Sequence, residues 1–215
     1  MTPPPTDLPS PSSVPLAWQL GVLVGGRGRR MGRDKARLPF RGRTLLEHQI
    51  SRCAPPGATV LLAIGDRDDR PGEGVGRRLL ADRLSGVGPL AGLEVLRAEA
   101  EAPILVVVPC DMPNLDRAEL ERLVADLRAG GADLARFASA GVVQPLPVAL
   151  AADCGPRLSA ALESGHRKLL GWEDGLRSLA IEPSRPEILR NLNTAEDFAA
   201  AGGDPADVDG GARGC

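Results

Sequence analysis

Residues 25–35 combine glycine and positive charge in a pattern suited to holding phosphate. Glycines stand at 25, 26, 28 and 32, arginines at 27, 29, 30 and 33, and a lysine at 35. Glycine lets a backbone approach a ligand closely and take positive φ. Consecutive N–H groups in such a turn form an anion-binding concavity. The apolar residues 20–24 just before the loop read as a buried strand. A strand that breaks into such a loop suggests a cradle for a phosphorylated ligand, a nucleotide above all. A second candidate centre is Asp111, between Pro109 and Pro113, directly after the β-branched run 104–108. Mg²⁺ prefers oxygen ligands and takes one or two carboxylates plus substrate phosphates, so one rigidly placed aspartate is sufficient. The competing use of Asp111 is as a helix cap or a turn residue.

Three glycine-loop types compete for the first motif. The Walker loop needs Gly-Lys-Ser/Thr, which occurs nowhere in the chain. A dinucleotide fingerprint starting at Gly26 would put its third glycine on Met31, and no acid follows at the expected distance. The nucleotidyltransferase loop, G-G-x-x-x-R-M-G-x-D-K, matches at every fixed letter from Gly25 to Lys35. The remaining alternative is an ordinary glycine-rich surface turn.

The elements that must position these groups follow from periodicity. Residues 44–53 are apolar at helical spacing behind the cap Thr44. Residues 59–64 predict a short buried strand, followed by a polar loop up to Arg78. Pro89 suits a first helical position, with the helix running to 100. Residues 103–108 show no alternation, as in a parallel sheet buried on both faces. Asp116 caps a helix to 127, strands are predicted at 133–137 and 142–148, a helix at 154–163, a strand at 179–181 and a helix at 195–201. Repeated strand–helix units predict an α/β fold, a three-layer α/β/α sandwich with a mostly parallel, Rossmann-like sheet. Such sheets bind ligands beyond the carboxyl ends of their strands, so residues 25–35, Gly65-Asp66 and Asp111 are expected on one edge. Asp82 precedes a glycine-rich turn and is either a site carboxylate or a cap. Asn191 and Asn193 flank one leucine, and on an extended segment both amides would point the same way; Asn193 as a helix cap is the alternative.

Composition narrows the function classes. The 215 residues suit one domain, expected over residues 16–201, between a Pro/Ser-rich disordered leader at 1–15 and a disordered tail at 202–215. With 2% aromatic residues and no tyrosine, the core must be leucine, valine and alanine. A net charge of −2 argues against nucleic-acid binding. The apolar run at 16–24 is far below the ~20 residues needed to span a bilayer, and the leader carries no basic residue, so a cytoplasmic protein is expected. Cys53, Cys110, Cys154 and Cys215 form no C-x-x-C and read as small buried hydrophobes. Only Lys35 and Lys168 are lysines, and a compact ammonium suits a phosphate loop better than a planar fork does. His48 is expected to be structural and His166 to be a solvated loop residue.

The motifs in their order resemble the MobA-type molybdenum cofactor guanylyltransferases. They are Leu23-Val24-Gly25-Gly26 with Arg30-Met31-Gly32-Arg33-Asp34-Lys35, Asp82 followed by Gly88-Pro89-Leu90-Ala91-Gly92, Pro109-Cys110-Asp111-Met112-Pro113, and Asn191-Leu192-Asn193-Thr194. The resemblance implies that Leu23, Val24, Gly25 and Gly26 hold the guanine and phosphates, that Lys35 and Asp82 contact the nucleotide, and that Asp111 binds Mg²⁺, with Lys35 and Asp111 as the catalytic pair. Asn191 and Asn193 would lie on the molybdopterin side, with Arg167 lining the pterin pocket more loosely. Asp66 stands where the family often has an asparagine, and Val24 where it has alanine. The substrates implied are GTP and molybdopterin, free or delivered by another protein of cofactor biosynthesis, with a monomer or weak oligomer acting. The rivals are a sister enzyme that uses CTP or another phosphorylated acceptor, and a non-catalytic nucleotide-binding regulator.

Overall fold

The chain folds around a seven-stranded sheet in the order β5-β4-β1-β6-β8-β7-β9. The structure is a computed structural model that describes residues 17–24, 34–65, 71–74, 76–83 and 88–203. The strands are β1 (Gln19–Leu23), β4 (Val60–Gly65), β5 (Arg77–Ala81), β6 (Ile104–Pro109), β7 (Leu134–Ser139), β8 (Val142–Ala151) and β9 (Ser178–Ile181). A two-residue hairpin, β2 (Pro39–Phe40) and β3 (Arg43–Thr44), stands apart. Its turn has positive φ at Arg41 (49°) and Gly42 (79°), the twist that two-residue hairpins prefer. The predicted leader at 1–15 and the tail beyond residue 203 lie outside the described residues. Gly203 itself is packed, bridging to Phe40.

β1 pairs in parallel with β4 on one side and β6 on the other. The chain leaves β1 toward β4 and β5 and then returns to β6 on the opposite flank. The strand order therefore reverses between β1 and β6, the crevice where such sheets bind ligands. Leu23 is the register partner of Pro109, so the chains leaving both strands emerge side by side.

Two features of the sheet depart from expectation. β8 runs antiparallel to both β6 and β7. β5, which pairs in parallel with β4, falls partly within the stretch expected as loop. It is an edge strand carrying Arg77 and Arg78, so it shows no apolar run.

Helices cover both faces. α1 (Leu45–Cys53) and α3 (Arg117–Ala129) pack on one face; α2 (Pro89–Glu99) and α4 (Cys154–Glu163) pack on the other. Their ends are locally coded. Thr44 and Glu47 form a capping box on α1. Asp116 accepts from Glu119 N at 3.1 Å at the start of α3. The three phenylalanines are fully buried, and leucine, valine and alanine fill the remainder of the core.

A third, smaller cluster contains Leu38, Phe40, Leu45, Leu192 and Phe198. It fastens the stretch after the glycine loop to the C-terminal segment that ends in α5 (Ala195–Ala200). Among the described residues no helix is long and apolar enough to cross a membrane.

Candidate active site

The carboxyl end of β6 delivers Asp111, and the chain that left β1 returns as a short 3₁₀ turn, Lys35–Arg37. Asp34 caps that turn by accepting from Ala36 N at 3.1 Å. The cap aims Lys35 at the end of β6, and its Nζ donates to Asp111 Oδ2 at 3.0 Å. The same Nζ donates to Leu192 O at 2.6 Å and reaches Asn193 Oδ1 at 3.4 Å. Leu192 N donates in turn to Asp111 O at 2.9 Å. Three segments distant in sequence thus meet around one ammonium. The Lys35 and Asp111 side chains are 19% and 21% exposed, sheltered but open to a ligand.

Three oxygens of different origin (carboxylate, backbone carbonyl and side-chain amide) surround a positive charge. Oxygen donors of this kind are what a hard divalent cation takes, and one carboxylate is enough where phosphates complete the shell. No group of three His, Cys, Asp or Glu side chains that could hold a metal by itself occurs among the described residues. Lys35 Nζ fills the space between the three oxygens, and Asp111 is the carboxylate among them that could join a divalent cation bound together with a nucleotide.

Leu192 is 2% exposed between the partly exposed Asn191 and the exposed Asn193. The buried leucine anchors the segment in the Phe40–Phe198 cluster. The Asn193 backbone N–H donates to Asp197 Oδ2 at 3.2 Å, while Thr194 takes the cap of α5. Asn193 therefore keeps its side chain for the Lys35 group.

Leu23 and Asp82 gather at α2. A Cβ on Gly92 would stand 2.8 Å from Leu23 Cδ2 and 3.7 Å from Asp82 Oδ1, so a larger residue there would have to push the Leu23 side chain aside. Val24 N donates to Ala63 O at 2.9 Å, carrying the β1–β4 ladder to the mouth of the glycine loop. Gly25, Gly26 and Asp66 lie outside the described residues. Arg167 turns its Nη1 back onto Leu162 O and His166 O, at 2.8 and 2.9 Å, over the end of α4. Its backbone approaches α2, with Arg167 O 3.1 Å from where a Gly88 Cβ would stand.

Two neighbours of Asp111 have settled chemistry. Burial pushes the Cys110 thiol up to about 12, so it is an inert core residue. His48, on α1, is buried and its Nε2 meets Pro113 O at 3.1 Å, which braces the turn carrying Asp111. Burial lowers the His48 pKa below its ordinary value, against a smaller opposing effect of the Pro113 contact. The unfolded chain then binds more protons than the folded one below the ordinary histidine range. Stability from this group is full above about pH 6.5 and is lost as pH falls toward the lowered folded value. Denaturant unfolding of wild type and His48→Gln between pH 5 and 8 is expected to show a steeper acid-side loss in wild type. Equal slopes would remove His48 as the cause.

Sequence reasoning missed the Leu192 carbonyl, because a backbone oxygen has no residue signature. It also missed the brace from His48 to Pro113, which depends on how α1 packs.

A family model described as the MobA-like NTP transferase domain matches residues 20–178. The molybdenum cofactor guanylyltransferase of Shewanella sp. strain MR-4 is 34% identical over 178 residues, covering 81% of this chain and 90% of the relative. The same-named protein of Shewanella putrefaciens is 30% identical over 187 residues, covering 86% and 95%. Among solved structures, molybdopterin-guanine dinucleotide biosynthesis protein A of Archaeoglobus fulgidus superposes with a TM-score of 0.71 at 25% identity, covering 85% of this chain and 96% of that one.

Proposed function

The chain belongs to the MobA-like NTP transferase family, and from that premise we propose that it is a molybdenum cofactor guanylyltransferase. It transfers GMP from GTP to the phosphate of molybdopterin and releases pyrophosphate. The observation that carries the site assignment is the meeting of Lys35 Nζ and Asp111 Oδ2 at 3.0 Å where the strand order reverses.

The chemistry needs little from the protein beyond placement and charge. A phosphate oxygen of molybdopterin attacks the α-phosphorus of GTP. The new P–O bond forms as the bond to the β-phosphate oxygen breaks, and pyrophosphate carries away that electron pair. A phosphate monoester is already ionised near neutral pH, so no general base is demanded. His48 is accordingly spent on Pro113 and Cys110 is buried. Lys35 takes up charge that develops on the phosphates, and the segment around Asn191 and Asn193 lies on the acceptor side. Asp111 would hold Mg²⁺, which supplies further charge neutralisation when bound with the nucleotide. Alignment of acceptor and triphosphate contributes the remainder of the acceleration.

Incubation with GTP, Mg²⁺ and molybdopterin is expected to yield the guanine dinucleotide by mass, with one pyrophosphate per product. Running CTP in parallel separates this reading from a cytidylyl-transferring relative. Binding of GTP without product on the pterin acceptor would instead identify a regulator.

A further inference from the structure

Arg136 is a cation in the interior of the sheet. It lies on β7 opposite Val148 and is 2% exposed. Its position puts it on the face covered by α2 and α4, among Leu134, Val148 and Trp172. Nη1 donates to Glu173 Oε1 at 2.6 Å and Nη2 to Leu169 O at 2.8 Å. Its buried Nε has no hydrogen-bond partner among the described residues. Glu173 Oε2 accepts from Trp172 N at 2.9 Å, and the Trp172 indole N–H donates to Leu169 O at 3.2 Å. One guanidinium and one carboxylate therefore hold the base of the loop 165–175 against the sheet.

A buried ion pair of this kind contributes little stability compared with apolar side chains of the same volume. The unpartnered Nε makes the arrangement still less favourable. What the pair does supply is position. The loop it fixes abuts the start of α2, where Arg167 O lies 3.1 Å from where a Gly88 Cβ would stand. The same helix packs through Gly92 on Leu23 and Asp82. The loop carries the exposed Lys168, a cation that suits a phosphorylated acceptor, next to Arg167, whose Nη1 is engaged by Leu162 O and His166 O.

We propose that Arg136 is a positioning residue for the acceptor: through Glu173 and Leu169 it sets where the cation-bearing loop 165–175 stands beside α2. The proposal rests on the guanylyltransferase reading. It acts through the loop alone, since the Lys35–Asp111 group is held by other elements.

The test is Arg136→Met, with Arg136→Met/Glu173→Gln as a second variant that leaves no unpaired charge should the first fail to fold. The acceptor KM is expected to rise about tenfold or more, because a small misplacement of binding groups is costly. The KM for GTP and kcat should stay within about threefold of wild type. Amide exchange of residues 166–173, read without substrate, should accelerate in step. A merely structural residue would move both KM values together with the thermal midpoint, and that result would overturn the assignment. An unchanged acceptor KM in a variant of an active wild type would overturn it too, leaving the function untouched. Absence of transfer by wild type would remove the function and this assignment together, whatever the exchange data.

Discussion

Asp111→Ala is expected to lower GTP-dependent transfer on the order of 10²–10³-fold, the usual loss when one preorganised charge-stabilising contact is removed. Asp111 follows a strand buried on both faces and accepts Lys35 Nζ at 3.0 Å. Its backbone oxygen also accepts Leu192 N at 2.9 Å, so the main chain stays tied when the side chain is cut. When the carboxylate is cut, Lys35 Nζ keeps Leu192 O and Asn193 Oδ1, so the loss of stability should be small beside the loss of rate. Circular dichroism and denaturant midpoint should therefore stay near wild type while pyrophosphate release collapses. Asp111→Asn sharpens the comparison. It can still accept from Lys35 but carries no charge, and it is expected to lose nearly as much activity as alanine. Wild-type turnover by either variant would take the carboxylate out of the reaction.

Lys35→Ala should cost a similar factor, on the order of 10²–10³ in turnover, for a different reason. The ammonium is the one cation that ties together Asp111, Leu192 O and Asn193 Oδ1 in the described site. Removing it takes away positive charge beside the triphosphate and leaves the oxygens of this group to repel the phosphates. Lys35→Arg is the informative partner. A planar fork does not fit among three convergent oxygens as a compact ammonium does, so charge alone should not restore activity. Steady-state kinetics with GTP and acceptor varied separately would show a fall in kcat rather than only a higher KM for GTP. A fully active arginine variant would mean that Lys35 contributes net charge and no geometry.

Much of the frame was legible locally. The Thr44 cap, the Asp116 cap and Pro89 at the start of α2 all lie where sequence signals put them. The β-branched run became β6. Cys53, Cys110 and Cys154 are buried, as small apolar residues would be. β5 escaped notice because an edge strand with two arginines lacks the apolar run that marks a central one. The reversed direction of β8 escaped as well, since an apolar stretch reads the same in either orientation. The Arg136–Glu173 pair could not be foreseen, because an arginine on a strand looks like a solvated residue until a loop covers it.

The types and spacing of residues in the sequence determined which helices start where, which run must be buried, and that an oxygen-rich, cationic phosphate site was available. Those signals act over a few residues, through caps, periodicity and turn chemistry. The sequence set residues 25–35 and Asp111 on one sheet edge; tertiary structure alone decided the contacts themselves, Lys35 Nζ on Asp111 Oδ2 across 76 positions and on Leu192 O across 157. That meeting depends on β1 lying between β4 and β6, and on Phe198 and Leu192 packing against Phe40. Strand order and docking of this kind arise from burial summed over the whole chain, and no local pattern encodes them.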